Sequence, residues 1–311
     1  MDNTQVCLTV VIPCYNEEKT IKKVITDFQR HLPEAEIIVY DNNSTDQTVK
    51  IAQAAGVKVL HEKRQGKGQV VKSMFDNIQA DIYVLVDGDD TYPAEAARKL
   101  IKPVLDDEVD VVVGTRLEGA DNKTLRPLHQ IGNRIILGVI NLFFRTNFKD
   151  ILSGYRIMGK KFVHNVPLLS SGFEIETELT LQALERGFRI KEIPIKYRER
   201  PVGSQSKLKS FQDGSKIIFT IMSILRDYRP MTFFPLVASL FVLIGLIFGS
   251  TVIIEYYQTG FVTKLPRAVL SVSLILISSI VFVAGFVVET INRRFRETHI
   301  LFRRQIQSKN K

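Results

Sequence analysis

Three carboxylates crowd one turn of this chain. Asp87, Asp89 and Asp90 follow directly on the apolar run Ile82 to Val86 and precede Pro93. The run has the length and composition of a buried strand. Pro93 suits the first turn of a following helix, where its missing N–H costs nothing. The acids therefore stand at the carboxyl end of a strand, the edge at which open α/β sheets bind ligands. Carboxylates this close repel unless a cation joins them. A hard divalent ion bound through Asp87 and Asp89 and shared with a diphosphate would answer that repulsion. An acidic turn capping the next helix is the plainer alternative.

Two more polar loops end apolar runs in the same way. Pro13-Cys14-Tyr15-Asn16-Glu17-Glu18 follows Leu8 to Ile12, and Asp41-Asn42-Asn43-Ser44-Thr45-Asp46 follows Ile37 to Tyr40. Further strands are expected at Val57 to Leu60 and Val111 to Val113. Between them lie helical patterns: Lys19 to Arg30 with Ile21, Val24, Ile25 and Phe28 on one face, a helix ending near Gly56, and a stripe of Val70, Val71, Met74, Phe75 and Ile78. Strands alternating with helices predict a largely parallel, doubly wound α/β sheet whose loops converge on one edge. Gly66-Lys67-Gly68 lacks the spacing of a phosphate-binding P-loop. It is either a glycine turn that brings Lys67 to a phosphate or an ordinary turn before a helix.

The 311 residues exceed one such domain, and the net charge of +9 invites nucleic acid or an anionic membrane. The distribution favours membrane, because the cations flank two long uncharged runs, Phe233 to Ile254 and Ala268 to Val288. Each is longer than the roughly 20 residues needed to cross the hydrocarbon core. Their short connection, Glu255 to Arg267, makes them a hairpin. Arg226 and Arg229 before it and Arg293, Arg294, Arg296, Arg303 and Arg304 after it place both termini in the cytoplasm. Phe211 to Leu225 has the pattern of an interfacial amphipathic helix. Cys7 and Cys14 are the only cysteines and suggest neither zinc nor a disulfide framework, which fits a reducing compartment. The polar opening residues predict no signal peptide. Without interleaved stacking aromatics among the cations, nucleic acid is not an expected partner.

Taken together, Val11 to Glu18, Asp41 to Asp46 and Asp87-Gly88-Asp89 resemble the successive signatures of family 2 glycosyltransferases of the GT-A fold. Gly114-Thr115-Arg116, Ser153-Gly154-Tyr155-Arg156 and Arg200 to Lys207 continue the likeness over roughly residues 6–215. The chain is most similar to the polyprenyl-phosphate sugar synthases, the branch of dolichol-phosphate mannose synthase. The resemblance implies a GT-A, Rossmann-like, mostly parallel catalytic domain at residues 1–208, an interfacial helix at 209–230, a transmembrane hairpin at 231–290 and a basic cytoplasmic tail at 291–311. It implies that Pro13, Tyr15 and Glu17 line the nucleoside pocket and that Asp41 and Asn42 belong to the base-reading loop. Lys67, Asp87 and Gly88 would complete the nucleotide site. Asp87 and Asp89 would hold Mg2+ or Mn2+, with Thr91 standing where relatives place a further ligand. Arg116, Arg200 and Lys207 join Asp89 as the expected catalytic set. Arg126, His129, Asn133 and Arg134 would meet an acceptor phosphate.

The implied reaction is transfer of one sugar, with inversion, from a UDP- or GDP-sugar to a polyprenyl phosphate. Its transition state has oxocarbenium character. An acceptor that is already anionic needs no strong base. The implied setting is the cell membrane, multi-pass, with the catalytic domain cytoplasmic and membrane lipid around the hairpin. Oligomeric state stays open, although a two-helix hairpin often needs partners and a homo-oligomer would supply them. A processive polysaccharide synthase shares the N-terminal motifs but also uses a Trp-containing polymer motif, and this chain has no Trp. A non-catalytic membrane scaffold is the remaining alternative, opposed by the intact acidic and basic positions. Ile135, Ile136, Val139, Ile140, Leu142 and Phe143 form a helix either against the membrane or buried in a core.

Overall fold

The computed structural model describes residues 6–118, 127–172, 174–198, 222–223 and 225–309. Its contacts divide the chain into two units, Met1–Ser215 and Lys216–Lys311.

The first unit is a seven-stranded sheet in the order β3-β2-β1-β4-β6-β5-β7. The strands are β1 Leu8–Cys14, β2 Glu36–Asp41, β3 Lys58–His61, β4 Ile82–Leu85, β5 Val111–Glu118, β6 Arg156–Gly159 and β7 Ile190–Lys196. All run parallel except β6, which lies antiparallel between β4 and β5. Helices α1 Ile21–His31, α2 Thr48–Ala54, α3 Lys67–Asn77, α4 Ala97–Leu105, α5 Pro127–Phe144, α6 Lys160–Asn165 and α7 Ile175–Glu185 connect or follow the strands.

Alternation along each strand builds the two layers. Val10, Ile12, Val39 and Val84 face one apolar cluster with Ile21, Ile25 and Phe28 of α1 and Leu100 of α4. Val11, Ile38, Tyr83 and Leu85 face the other, with Val70, Val71 and Met74 of α3 and Ile175 and Leu179 of α7. A strand buried on both faces shows the continuous apolar run of a parallel sheet. The four expected β-strand runs up to β4 are found, and the fifth extends five residues further, to Glu118. β6 and α6 were not expected. Arg156 begins β6 and is fully buried, a residue type that argues against a central strand until its partners are known. Pro93 caps a short 3-10 turn at Ala94–Ala96 that leads into α4. β7 is an edge strand, and Pro194 sits there without breaking a central ladder.

The second unit contains helices α8 Pro230–Thr259 and α9 Leu265–Lys309. Gly260, at φ 74°, ends α8 in the left-handed conformation that glycine adopts freely. Both helices are long and apolar enough to cross a membrane. They overrun the expected spans: the connection shrinks to 260–264, and the basic segment expected as a separate tail continues α9 as helix to Lys309. Small residues make their contact. Ser271 Oγ donates to Gly245 O at 2.8 Å, and Ser278 Oγ donates to Ala238 O at 3.0 Å. Most of the expected interfacial helix at Phe211 to Leu225 lies outside the described residues.

Candidate active site

The carboxyl ends of β1, β2 and β4 meet at one edge because these strands are parallel neighbours. Their loops are stitched together. Thr45 N donates to Asn16 Oδ1 at 2.8 Å, Asn16 N to Ser44 Oγ at 2.9 Å, and Glu17 N to Thr48 Oγ1 at 2.8 Å. Thr20 Oγ1 donates to Gly88 O at 2.7 Å, joining the first loop to the third. Each loop contains a residue with positive φ: Asn16 at 54°, Asn43 at 64° and Asp90 at 59°. Asn and Asp tolerate this region better than other side-chain-bearing residues. That tolerance explains their recurrence at the turns. Pro13, Tyr15 and Glu17 are half-buried along the first loop.

Asp41 and Asn42 are both buried. Asp41 accepts from Ser44 N at 3.2 Å and lies 3.3 Å from His61 Nδ1. Asn42 acts within the protein. Its Nδ2 donates to Glu62 O at 2.9 Å and to Arg64 O at 2.8 Å, while its Oδ1 accepts from Gly66 N at 2.7 Å. An aspartate could not make the two donations, so the amide suits the loop it holds. Arg64 hydrogen-bonds the Glu62 carboxylate and, with Ser73, holds it down at about 2.

Lys67 is the first residue of α3. Gly66, at φ 129°, precedes it, and a Cβ on Gly66 would come within 2.1 Å of Ser171 O. A Cβ on Gly68 would come within 2.3 Å of Ser170 O. Glycine is thus required on both sides because the turn is pressed against the 170–171 backbone. Lys67 Nζ donates to Asp87 Oδ1 at 2.5 Å and to Glu176 Oε1 at 2.6 Å. Burial disfavours its charge, but the two carboxylates outweigh burial and hold the ammonium well above the ordinary lysine value. The turn is therefore more than a connection: it delivers a cation to the acidic strand end.

Gly154 closes the other side of Asp87, where a Cβ would approach Oδ2 to 2.4 Å. The antiparallel β6 is what brings it there, since Arg156 pairs with Leu85. Arg156 donates to Ser153 O, Ile151 O, Glu176 O and Thr180 Oγ1 at 2.6–3.1 Å. Burial pulls its guanidinium down to about 10, which leaves it charged at neutral pH. It ties the 151–153 loop to the first turn of α7 and so helps place Glu176. Neither Glu176 nor Gly154 stood out as a site residue in the sequence. Nothing short of the fold puts α7 beside β4.

Asp89 is buried and accepts from Thr91 Oγ1 at 2.6 Å and Thr91 N at 3.3 Å. Asp90 turns elsewhere, to Lys23 at 2.5 Å and Arg198 at 3.4 Å. Arg116 forms a two-pronged pair with Asp150, at 2.7 and 2.8 Å, and lies over Tyr197 at 5.8 Å. Burial opposes the Arg116 charge, but Asp150 more than compensates. The hydroxyl of buried Tyr92 accepts from Gly154 N at 2.9 Å, and burial raises the phenol. Arg126, Arg200 and Lys207 lie outside the described residues. His129 and Asn133 fall on the α5 backbone with side chains outside the description, and Arg134 is exposed.

Among the described residues, no three His, Cys, Asp or Glu side chains are grouped to hold a metal by themselves. Asp87 and Asp89 nevertheless supply hard oxygen at one strand end. This donor set fits Mg2+ or Mn2+ only as an ion completed by phosphate oxygens and water, the usual arrangement for such ions.

The geometry can be compared with known proteins. A profile described as Glycosyl transferase family 2 matches residues 9–166. The glycosyltransferase AglJ of Haloferax volcanii is 35% identical over 226 residues, 72% of this chain and 74% of that protein. The dolichyl-phosphate hexose transferase of the same organism is 30% identical over 223 residues, 71% of this chain and 95% of the relative. Among solved structures, glucosyl-3-phosphoglycerate synthase from Mycobacterium tuberculosis, in complex with Mn2+, UDP-glucose and phosphoglyceric acid, aligns with a TM-score of 0.59 at 22% identity. That alignment covers 70% of this chain and 79% of the other. The last likeness establishes the GT-A fold; the sequence matches establish descent and a glycosyl-transferring enzyme. Arrived at from the strand-end loops outward and from its relatives inward, the conclusion is the same: this chain belongs to glycosyl transferase family 2.

Proposed function

We propose that the protein transfers one sugar from a UDP- or GDP-sugar to the phosphate of a polyprenyl lipid at the membrane surface, with inversion at the anomeric carbon. One observation carries this reading. The chain that gathers Asp87, Asp89 and Lys67 at a sheet edge also ends in two helices long and apolar enough to span a membrane. A relative that aligns over 223 residues, nearly all of its own length, is named a dolichyl-phosphate hexose transferase. Helix α5 adds support. Ile135 and Leu142 are exposed on it, which removes the fully buried alternative and suits a helix that meets lipid.

In this mechanism the loops after β1 and β2 hold the nucleoside, with Tyr15 against the base. Asp87 and Asp89 would hold Mg2+ or Mn2+, which when bound neutralises charge on the departing diphosphate. Lys67 lies beside Asp87 and adds a positive charge there. Arg200 and Lys207 would supply cations from the other side. Arg126, His129, Asn133 and Arg134 would receive the lipid phosphate, whose anionic oxygen attacks without a general base. Asp150 holds Arg116 in one orientation, so Arg116 would act as a preorganised cation rather than a mobile one. The arginines that flank the helices favour an orientation with both chain termini and the α/β unit on the cytoplasmic side.

The test is direct. Purified protein in lipid vesicles is incubated with MgCl2 or MnCl2, undecaprenyl phosphate and a panel of nucleotide sugars, and the lipid product is weighed by mass spectrometry. The expected product is a polyprenyl monophosphate carrying one sugar, absent when EDTA is added. Equal reaction with dephosphorylated polyprenol, or a diphosphate-linked product, would refute the acceptor.

A further inference from the structure

Lys67 already engages an Asp87 oxygen that a donor's metal would use. Its Nζ lies 2.5 Å from Asp87 Oδ1, a hydrogen-bonding approach that leaves no room for a divalent ion on the same oxygen lone pair. A second carboxylate, Glu176, accepts from the same ammonium at 2.6 Å. Both Lys67 and Glu176 have side chains at least nine-tenths buried, at 9% and 7% exposure, so water screens this arrangement little. Gly154 lies close on the other side of Asp87, where a Cβ would come within 2.4 Å of Oδ2 and 3.0 Å of Lys67 Nζ. The Lys67 turn itself is pinned by the Ser170–Ser171 backbone and by Asn42, whose Oδ1 accepts from Gly66 N.

We propose that Lys67, held by Glu176, is a built-in counter-ion that keeps a divalent cation off Asp87 until a nucleoside diphosphate arrives. This rests on the assignment of Asp87 and Asp89 to the metal. An incoming diphosphate offers Lys67 new anionic oxygens and offers the metal its missing ligands. The ammonium leaves Asp87 Oδ1 for phosphate, and the cation takes its place. Metal and nucleotide then bind as a pair, and the empty enzyme does not load metal alone. Without Lys67, the half-buried Asp87 and the buried Glu176 stand uncompensated beside each other and draw a cation by themselves. The loop after β2 feels the same exchange, because Asn42 is bonded to the turn that begins α3.

The experiment measures Mn2+ binding to the full-length protein in nanodiscs, by the loss of the free-Mn2+ electron paramagnetic resonance signal. Wild type, Lys67→Met and the Lys67→Met/Glu176→Gln double variant are compared alone, with UDP and with GDP. Wild type should bind Mn2+ weakly alone and at least tenfold more tightly with one of the nucleotides. Lys67→Met should bind Mn2+ alone at least tenfold more tightly than wild type, and nucleotide should add less to it. The double variant also removes one of the two carboxylates left uncompensated, so it folds more readily and should fall between the two. If neither variant gains affinity for Mn2+ alone while wild type still responds to nucleotide, the counter-ion role is overturned and the metal assignment stands. If wild type binds no Mn2+ with either nucleotide, the metal assignment fails and the counter-ion role fails with it.

Discussion

In the α/β unit the fully buried side chains include Phe28, Tyr83, Tyr155, Phe162 and Arg156. In the helical hairpin the buried positions include Ala238, Gly245, Ser271 and Ser278, while Leu236, Leu243, Leu246, Ile280 and Phe286 point outward. The first unit is organised by water. Large apolar groups leave solvent, and any polar group that goes with them must find partners. The second is organised for a solvent as apolar as leucine. Close approach then comes from small residues, and their hydroxyls bond to backbone across the interface. The difference teaches where each unit can be damaged: the first through its buried polar network, the second through its small side chains.

The largest effect is expected at Arg156. Arg156→Met strips donors from three buried carbonyls and should cost more than ~3 kcal/mol, enough to expose the α/β unit to limited proteolysis at 37 °C. A variant as resistant as wild type would show that the buried cation is dispensable and the contrast overstated. Asn42→Ala removes three hydrogen bonds from a buried loop anchor and should cost about 2–3 kcal/mol, read as a lowered thermal midpoint.

Glu62 sharpens the comparison through pH. Its folded value of about 2 lies below the ordinary 4.5, so its stabilisation is full above the higher value. It is lost as pH falls toward about 2. The gap in stability between wild type and Glu62→Gln should be on the order of 2 kcal/mol at pH 7 and shrink below pH 4. A gap that stays constant across that window would mean the carboxylate is not the stabilising form.

Within the hairpin, Gly285→Leu should separate the helices. A Cβ there would meet Phe234 Cβ at 2.4 Å, and overpacking costs roughly 1–3 kcal/mol. Cysteines placed at 238 and 278 should cross-link less efficiently in the variant. The smallest effect is expected at Leu246, which is 57% exposed. Leu246→Ala should shift stability in nanodiscs by less than ~0.5 kcal/mol, against about 3–5 kcal/mol for Phe28→Ala in the other unit. Equal losses at the two sites would erase the distinction between a water-made core and a lipid-facing surface.

The three strand-end loops were legible because each is local. An apolar run of strand length, then Pro, Asn, Asp or Gly, is written within a dozen residues. The two apolar helices were legible for the same reason, although their ends were set too short. Polar residues such as Glu255 and Thr290 can extend a helix beyond the apolar stretch without changing its backbone pattern. β6 was missed because four residues led by a buried arginine resemble no strand. Glu176 was missed because an acid in the first turn of a helix is ordinary and needs no further explanation.

Sequence by itself determined the alternation of strands and helices, the acidic turn after β4, the glycines around Lys67 and the two uncharged helices. These are fixed by side-chain periodicity and by backbone preferences within a few residues. Only the tertiary structure decided that Lys67 meets Glu176 across a separation of 109 residues, that Asp150 clamps Arg116, and that Gly154 backs Asp87. Such pairings depend on sheet order, and above all on the antiparallel strand between β4 and β5. Sheet order is the outcome of burying both faces of the sheet at once. No single segment carries that information, because each helix can cover its apolar stripe in more than one way until all of them are placed together.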